Sequence, residues 1–298
     1  MGRLTKIILA LIAALVGLFA VAAIAFLLFF DPNDFREQAE DAVKEATGRD
    51  LAIEGEIGLQ IVPWLAVSVS DVSLSNAPGF GDETFARLDR AELSVQFWPL
   101  ILDRAVAVGT AEIEGLTLNL AVDANNNDNW SDLAATETDT SNDERDSGGD
   151  GTLAVSGVAI RNATITYTNK ANGGAYSLSE ADLEIGPVLG DADALTIDGV
   201  SFDGVIAGVA EAPSRMAVDT AGIELDLAGN IATIQPVELS IFGIDVNAAL
   251  EPLSYSGTVK PRAAIEVDAF SPRSVMTLFG VEPPKTAEEG YHFSEDIT

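Results

Sequence analysis

Residues 51–61 read LAIEGEIGLQI, and this stretch decides the fold class. Its Leu and Ile side chains, together with Gly55, occupy every odd position, whereas Ala52, Glu54, Glu56 and Gln60 are among the even positions. Successive side chains of a β-strand point to opposite faces of a sheet. An alternation with a period of two therefore predicts a strand that is buried on one face and solvated on the other.

The same alternation recurs along most of the chain. Val67 and Val69 keep the odd parity but Val72 and Leu74 take the even one, which predicts a bulge or turn near residues 70–71. Gly, Asn, Asp and Pro separate the alternating runs at a spacing of roughly 10–15 residues, which is typical of all-β chains. Further runs begin near residues 91, 116, 163, 181, 223, 237, 244 and 263. We predict a mainly β, mostly antiparallel fold.

The N-terminal region precedes the strands and has a different pattern. Residues 7–30 carry no charged or polar side chain, and as a helix they would be about 36 Å long, enough to cross a membrane. A cleaved signal peptide is the alternative, but the length of the run and the bulky residues at its end favour an uncleaved anchor. Arg3 and Lys6 before the run, with Asp31 and Asp34 after it, predict a cytoplasmic N-terminus.

Two further segments complete the organisation of the chain. Asp31 and Pro32 are typical of a helix start and Gly48 of a helix end, so a short helix follows the anchor. Residues 134–151 contain six acidic residues and no large apolar side chain, a composition that predicts a disordered loop. The predicted division is a cytoplasmic N-terminus 1–6, a transmembrane anchor 7–30, a helix and β region 31–133, an acidic loop 134–151 and a further β region 152–298.

Composition excludes several classes of function. The chain has 47 acidic and 16 basic residues and a net charge of −31, which disfavours binding to nucleic acid. It has no Cys, and His292 is its single His. A Ser-His-Asp triad, a cysteine zinc site and a two-histidine metal centre are therefore disfavoured. We expect neither catalysis nor a cofactor or metal.

One acidic segment imitates a calcium loop. Asp123, Asn125 and Asn127 place oxygen atoms at alternate positions. However, the loop's sixth position is Asp128 instead of Gly and its twelfth is Ala134 instead of Glu. The segment is better interpreted as a turn that ends a strand, with Trp130 folded back on it.

Three other motifs admit a catalytic or structural interpretation. The pairs Glu54/Glu56 and Glu112/Glu114 could form a glycosidase dyad, but their spacing of two places them on the polar face of strands as solvated residues. Residues 47–50, TGRD, predict a helix end and a strand entry, with Arg49 available to pair with a carboxylate. Trp64 and Trp98 adjoin Pro near strand ends, where we expect their side chains to pack over the end of a sheet and not to bind a ligand.

The apolar faces of the strands need a cover, and no further helix is predicted before about Pro272. A closed sandwich or barrel would cover them, and periodicity alone favours this solution. The alternative is an elongated, curled antiparallel sheet whose apolar face stays open as a groove, for which an acyl chain is the natural occupant. The candidate groove residues are Ile57, Leu59, Leu93, Val95, Leu116, Leu118, Leu120 and Leu225.

A series of short motifs runs along the chain. The motifs are FDPNDF (30–35), TGRDLAIEG (47–55), PWL (63–65), LSNAPGF (74–80), WPLIL (98–102), GLTLNL (115–120), NWSDL (129–133), GVAIRNA (157–163), YSL (176–178), FSPR (270–273) and LFG (278–280). Together they resemble the AsmA family. The match is specific over residues 1–133, where the motifs occur in the family's order, and looser over residues 157–280.

The resemblance implies a single-pass inner-membrane protein of a Gram-negative bacterium with its bulk in the periplasm and a role in outer-membrane assembly. It also implies kinship with bridge-like lipid-transfer proteins, which favours the open groove over the closed core. The expected function is the binding or transfer of phospholipid, with a possible outer-membrane assembly partner. The alternative is a structural tether or assembly factor with a closed β core. Because family members are usually longer, we expect the chain to be a fragment.

Overall fold

The computed structural model describes residues 31–60, 65–95, 107–135, 153–191, 193–256 and 261–284. The predicted anchor 7–30, nearly all of the acidic loop 134–151, and both Trp64 and Trp98 lie outside the described residues. Within the described part, no helix combines the length and the hydropathy that a membrane crossing requires.

The predicted short helix is confirmed. A 3₁₀ turn, Pro32–Phe35, leads into helix α1, Arg36–Thr47. The side chain of Asp31 caps the turn by accepting a hydrogen bond from Asn33 N at 2.9 Å. Gly48 ends α1 with φ 72°, a left-handed conformation that glycine adopts without steric cost. Two more short helices are α2, Ser131–Ala135, and α3, Pro272–Leu278.

The remaining regular elements of the described chain are β-strands, and all of them belong to one sheet. The first nine strands are β1 Leu51–Ile53, β2 Ile57–Gln60, β3 Leu65–Ser75, β4 Thr84–Val95, β5 Ala107–Glu114, β6 Thr117–Val122, β7 Leu153–Asn169, β8 Gly174–Ile185 and β9 Val188–Gly190. The other nine are β10 Ala194–Ile197, β11 Val200–Ala207, β12 Ser214–Thr220, β13 Ile223–Asp226, β14 Ile231–Ile234, β15 Val237–Ile241, β16 Ile244–Leu250, β17 Leu253–Ser254 and β18 Ala263–Val267.

Consecutive strands pair along the sheet, which we call the ladder. We call each successive position in it a rung, and a rung is either one long strand or two shorter strands placed end to end. The ladder has eleven rungs. Seven rungs consist of two strands in line: β1/β2, β5/β6, β8/β9, β10/β11, β12/β13, β14/β15 and β16/β17. The pairing is antiparallel throughout except that β7 runs parallel to β5 and β6. A parallel neighbour needs a long connection, and residues 123–152 with α2 provide it. The mainly β, antiparallel fold predicted from the sequence is confirmed.

Two lines of backbone irregularity each cross part of the ladder. In the first line, the apolar alternation changes phase at residues with positive φ: Asp71 (48°), Gly115 (66°), Asn162 (53°) and Glu180 (49°). A bulge-type residue of this kind shifts the alternation by one, so apolar side chains on both sides of it can share a face. The irregularity predicted near residues 70–71 is thus confirmed, although β3 continues through it.

The second line separates the paired strands of the later rungs. It contains the dipeptides Gly186-Pro187, Asp198-Gly199, Ala221-Gly222, Gln235-Pro236 and Glu251-Pro252. Hydrogen bonds still link the rungs there, since Gly186 N donates to Gly199 O at 3.0 Å. A Cβ atom at Gly186 would lie 1.8 Å from Asp198 O, so only glycine allows this close approach of two backbones.

The two edges of the ladder differ. Side chains that precede or lie on α1 bind the backbone of β1 and β2: Asn33 Oδ1 accepts from Ile57 N at 3.0 Å, Arg36 donates to Gly55 O at 2.5 Å, and Glu40 accepts from Ile53 N at 2.9 Å. These bonds occupy polar groups of an edge strand that would otherwise be open to another chain. At the opposite edge all five residues of β18 are exposed.

The fully buried hydrophobic residues in the described part are few and mostly small. Five of them are alanines, and the larger ones are Ile53, Phe85 and Val122. Close-packed interiors of sandwiches and barrels are instead filled by Leu, Ile, Val and Phe from facing strands. Most of the large apolar side chains of this sheet are therefore only partly covered.

Candidate functional site

The candidate site is the apolar face of the ladder, defined here by two rows of cross-strand neighbours that pass through all eleven rungs. The first row is Leu59, Val67, Leu93, Ala111, Val158, Ile185, Val200, Thr220, Val237, Ala248 and Ile265. The second row is Ile57, Val69, Ala91, Ile113, Ile160, Leu183, Phe202, Val218, Leu239, Val246 and Val267.

The two rows are apolar and open to solvent. Thr220 is their single polar member, and neither row contains a charged side chain. Every position in them is half-buried or exposed; Val67, Leu93 and Ile265 have 48%, 49% and 64% of their surface accessible. Eleven rungs at about 4.8 Å each give an apolar face roughly 50 Å long. Continuous apolar surface on this scale usually marks a binding site.

The opposite face is acidic. The row that lies between the two apolar rows along each strand is Gly58, Ser68, Glu92, Glu112, Ala159, Glu184, Ser201, Asp219, Glu238, Asn247 and Glu266. A hollow of about 430 Å³ on this face is lined by Asp219, Glu238 and Glu266 among others. The sheet is therefore strongly amphipathic, and an apolar ligand has one face available to it.

The structure brings some of the predicted groove residues together and separates others. Ile57, Leu59 and Leu93 lie within the two rows, and Val95 lies opposite Leu65 and Val108 at the same end. Leu116, Leu118 and Leu120 lie beyond the irregularity at Gly115, where Leu118 neighbours Ala86 and Ile165. Leu225 lies beyond Gly222, between Leu195 and Ala232 on the neighbouring strands. None of the eight is fully buried.

Several members of the rows were missing from the predicted set. Val158 and Ile160 belong to the centre of the face, but their run is short because the alternation changes phase at Asn162. Val200, Phe202 and Val218 alternate regularly over only a few residues between turns. These residues are recognised as members of the face from their neighbours on adjacent strands. The alternation along a single strand does not reveal those neighbours.

A buried polar cluster supports one end of the sheet, and we call it the Arg49 clasp. Arg49 is 1% exposed and binds Asp132 through two hydrogen bonds, of 2.5 and 3.0 Å, as well as Asn129 O at 2.7 Å. Its guanidinium lies 4.5 Å above the centre of the Phe85 ring. The predicted pairing of Arg49 with a carboxylate is confirmed, and the clasp joins the end of α1 to α2.

Asn129 completes the clasp. It is fully buried, and its amide accepts from Ala121 N at 2.8 Å and donates to Asn76 Oδ1 at 2.8 Å and to Asn119 O at 2.9 Å. A buried amide with all these partners fixes the strand β6 against the loop that follows it. Asn129 and Asp132 of the NWSDL motif thus have structural contacts in this fold.

The clasp predicts a dependence of stability on pH. The hydrogen bond from Arg49 lowers the pKa of Asp132 below its ordinary value. A carboxyl whose pKa is lower in the folded state stabilises the fold above its unfolded pKa, and this contribution is lost as the pH falls below about 4. We expect the free energy of unfolding, measured by denaturant titration between pH 7 and pH 3, to fall less steeply in Asp132→Asn than in the parent. Equal pH slopes would contradict the prediction.

The segment that imitates a calcium loop forms a turn after β6. Asp123 accepts hydrogen bonds from the backbone of Asn125 at 2.7 Å and of Asn127 at 2.9 Å, and the side-chain bond from Asn127 at 2.9 Å is the main cause of its lowered pKa. Trp130 packs back towards the sheet, with its ring 6.3 Å from that of Tyr167. In the described part of the chain, no group of acidic or histidine side chains has an arrangement suited to a metal ion.

The two glutamate pairs lie in solvent. Glu54, Glu56, Glu112 and Glu114 are all exposed, and Glu112 neighbours Glu92 across the strands. This position fits solvated side chains on the polar face, as the spacing indicates. The absence of an enzymatic role stays a prediction.

The model of the AsmA family matches residues 1–230. No curated protein matches the chain.

Proposed function

The chain belongs to the AsmA family, and from this premise we propose that its apolar face binds the acyl chains of phospholipids and guides them along the ladder. Family membership supports a function in the cell envelope in general. The finer proposal is an inner-membrane anchor at residues 7–30, with the sheet in the periplasm and in contact with an outer-membrane assembly partner. The residues suggest no catalytic step, so we propose binding or transfer without chemistry.

One observation carries the proposal: an apolar face crosses all eleven rungs without a charge, and none of its 22 row positions is buried. Burial of apolar surface contributes about 25 cal/mol per Å², so an acyl chain lying along this face would be held by the hydrophobic effect alone. The rows also run across the strands, which gives a lipid a continuous path. A tether with a closed core would instead need these side chains covered.

The first test is whether lipid stays with the protein. We expect the full chain, extracted in a mild detergent and examined by native mass spectrometry, to carry one or more phospholipid molecules. A protein that is empty after extraction, and that remains empty after incubation with phospholipid vesicles, would contradict the proposal and support the tether.

The second test concerns the anchor. Because residues 7–30 are long and end in bulky side chains, we expect them to remain in the mature protein. Intact-mass measurement of membrane-extracted protein checks this. A mature N-terminus near Asp31 would contradict the anchored topology but would leave lipid binding by the sheet open to the first test.

A further inference from the structure

The last strand of the ladder, β18, leaves one of its two backbone edges open. In the part of the chain that the structure describes, β18 pairs with β16 alone, and all five of its residues are exposed. At the first rung, by contrast, the side chains of Asn33, Arg36 and Glu40 bind the backbone of the edge. A strand with unpaired N–H and C=O groups is a template on which another strand can pair.

The pairing with β16 determines which backbone groups of β18 are open. Asp268 N donates to Asp245 O at 2.9 Å, and the register of the two strands makes these residues a hydrogen-bonded pair. Hydrogen-bonded and non-hydrogen-bonded pairs alternate along antiparallel strands, so the even-numbered residues of β18 direct their N–H and C=O groups towards β16. The odd-numbered residues direct theirs outward, and they are Ala263, Ile265 and Val267.

We propose that β18 of a second copy of this chain pairs with this open edge, running antiparallel, with Ile265 of each copy opposite Ile265 of the other. In this register Ala263 of each copy lies opposite Val267 of the other. The residues with outward groups therefore meet each other, and the two strands exchange about six backbone hydrogen bonds. A twofold axis perpendicular to the sheet relates the copies, so the contact is closed at a dimer.

The side chains of β18 are self-complementary in this register. On the apolar face Ile265 meets Ile265 and Ala263 meets Val267, so both apolar rows continue into the second copy. Ile265 is 64% exposed and Val267 46%, and pairing covers part of this apolar surface. On the polar face Glu266 lies opposite Ala264, which keeps the carboxylates of the two copies from facing each other directly.

Charge complementarity extends beyond the ends of β18. Arg262 O accepts from Glu251 N at 2.9 Å, and Asp268 is bonded to Asp245, so the extended pairing includes both flanking residues. In the proposed register Arg262 of each copy lies opposite Asp268 of the other. Arg262 is 81% exposed and its Nη1 lies 3.7 Å from Glu251 within its own chain, so it can also reach a second carboxylate. Two such pairs offset repulsion between copies that each carry a net charge of −31.

The neighbouring registers are less favourable. A shift by two residues in one direction places Glu266 opposite Glu266 of the second copy, which is a destabilising like-charge pair. A shift by two residues in the other direction places Pro261 opposite Val267, and proline has no N–H to donate. The register centred on Ile265 avoids both faults.

The dimer would double the apolar face. The two rows would continue from one ladder into the other over roughly 100 Å, with the helix α1 of each copy at one of the two far ends. Because a single short strand forms the contact, the interface is smaller than that of a permanent dimer, and we expect it to dissociate on dilution. The inference goes beyond the proposed function, and its tests do not require lipid.

The first test uses the absence of Cys from the chain. Ile265→Cys places the thiols of the two copies opposite each other, at a Cα separation of about 5.5 Å that a disulfide can span. The matched control, Ala263→Cys, places them about 13 Å apart, because Ala263 lies opposite Val267. We oxidise the full chain mildly in detergent and separate the products by non-reducing gel electrophoresis. We expect at least tenfold more covalent dimer from Ile265→Cys, and equal yields or no dimer would overturn the register.

The second test measures the dissociation constant of the full chain in mild detergent by analytical ultracentrifugation. Ile265→Pro removes an N–H that points away from β16, so circular dichroism should show an unchanged fold while the dissociation constant rises at least tenfold. Arg262→Asp places a carboxylate opposite Asp268 and should raise it about fivefold, and the addition of Asp268→Arg should restore it to within about twofold of the parent. A parent that is monomeric at every concentration, or a dimer that none of these variants weakens, would overturn the proposal and leave lipid binding to its own test.

Discussion

Arg49→Ala is expected to lower the free energy of unfolding by about 2–5 kcal/mol, because it empties a buried side-chain site and removes the hydrogen bonds made there. The guanidinium of Arg49 is completely buried, whereas Asp132 is 41% exposed. The substitution removes two bonds to Asp132, one to Asn129 O, and the contact with the Phe85 ring. It also leaves a cavity in place of the arginine side chain, and its cost depends on how far the surrounding structure collapses into it.

Arg90→Ala is the matched control for this prediction. Arg90 also pairs with a carboxylate, Glu92, at 2.6 Å, but its side chain is 50% exposed. Exposed ion pairs contribute about 0–1 kcal/mol, so the control should unfold close to the parent. Denaturant titration of the full chain in detergent, followed by far-UV circular dichroism, measures both variants. A similar loss of stability in the two would show that the Arg49 clasp contributes no more than an exposed ion pair.

The partner of Arg49 in the clasp could not be predicted from the sequence. Arg49 and Asp132 are 83 positions apart, so no local pattern joins them. The TGRD motif indicated a helix end and an available cation, and both are correct, but the choice of Asp132 among 47 acidic residues required the path of the chain. That path includes the turn after β6, where Asn129 N donates to Ala121 O at 3.1 Å and Asn129 O accepts from Arg49 at 2.7 Å, just before α2 begins.

The strands themselves were predictable because alternation is a local property. The described part of the first run, residues 51–60, forms the two strands β1 and β2, and the change of parity near Asp71 corresponds to a residue with positive φ in β3. Whether the apolar face is open was not predictable from periodicity, since a closed sandwich and an open ladder have the same period along each strand. The two differ in what covers Val67 or Leu93 across space, and the exposed fractions of these side chains, 48% and 49%, are known only once the neighbouring strands are placed.

Val67→Asp is expected to leave the protein folded and to weaken phospholipid binding by tenfold or more. Val67 is 48% exposed and lies in the first apolar row between Leu59 and Leu93. An aspartate there can reach water when the face is empty, so its cost in stability should stay within about 1 kcal/mol. With an acyl chain along the row, the same carboxylate faces hydrocarbon, where a charge costs about 2.5–3.5 kcal/mol or more.

Two further variants make the Val67→Asp result interpretable. Ser68→Asp adds the same charge one residue away on the acidic face, so we expect it to bind phospholipid as the parent does. Ile53→Asp places the charge at a position that is 7% exposed, where an unpaired carboxylate costs several kcal/mol and should prevent stable folding. Thermal melting and native mass spectrometry of the full chains separate these outcomes. If Val67→Asp unfolds as Ile53→Asp does, the face is closed in solution; if it folds and binds lipid as Ser68→Asp does, acyl chains do not lie along this row.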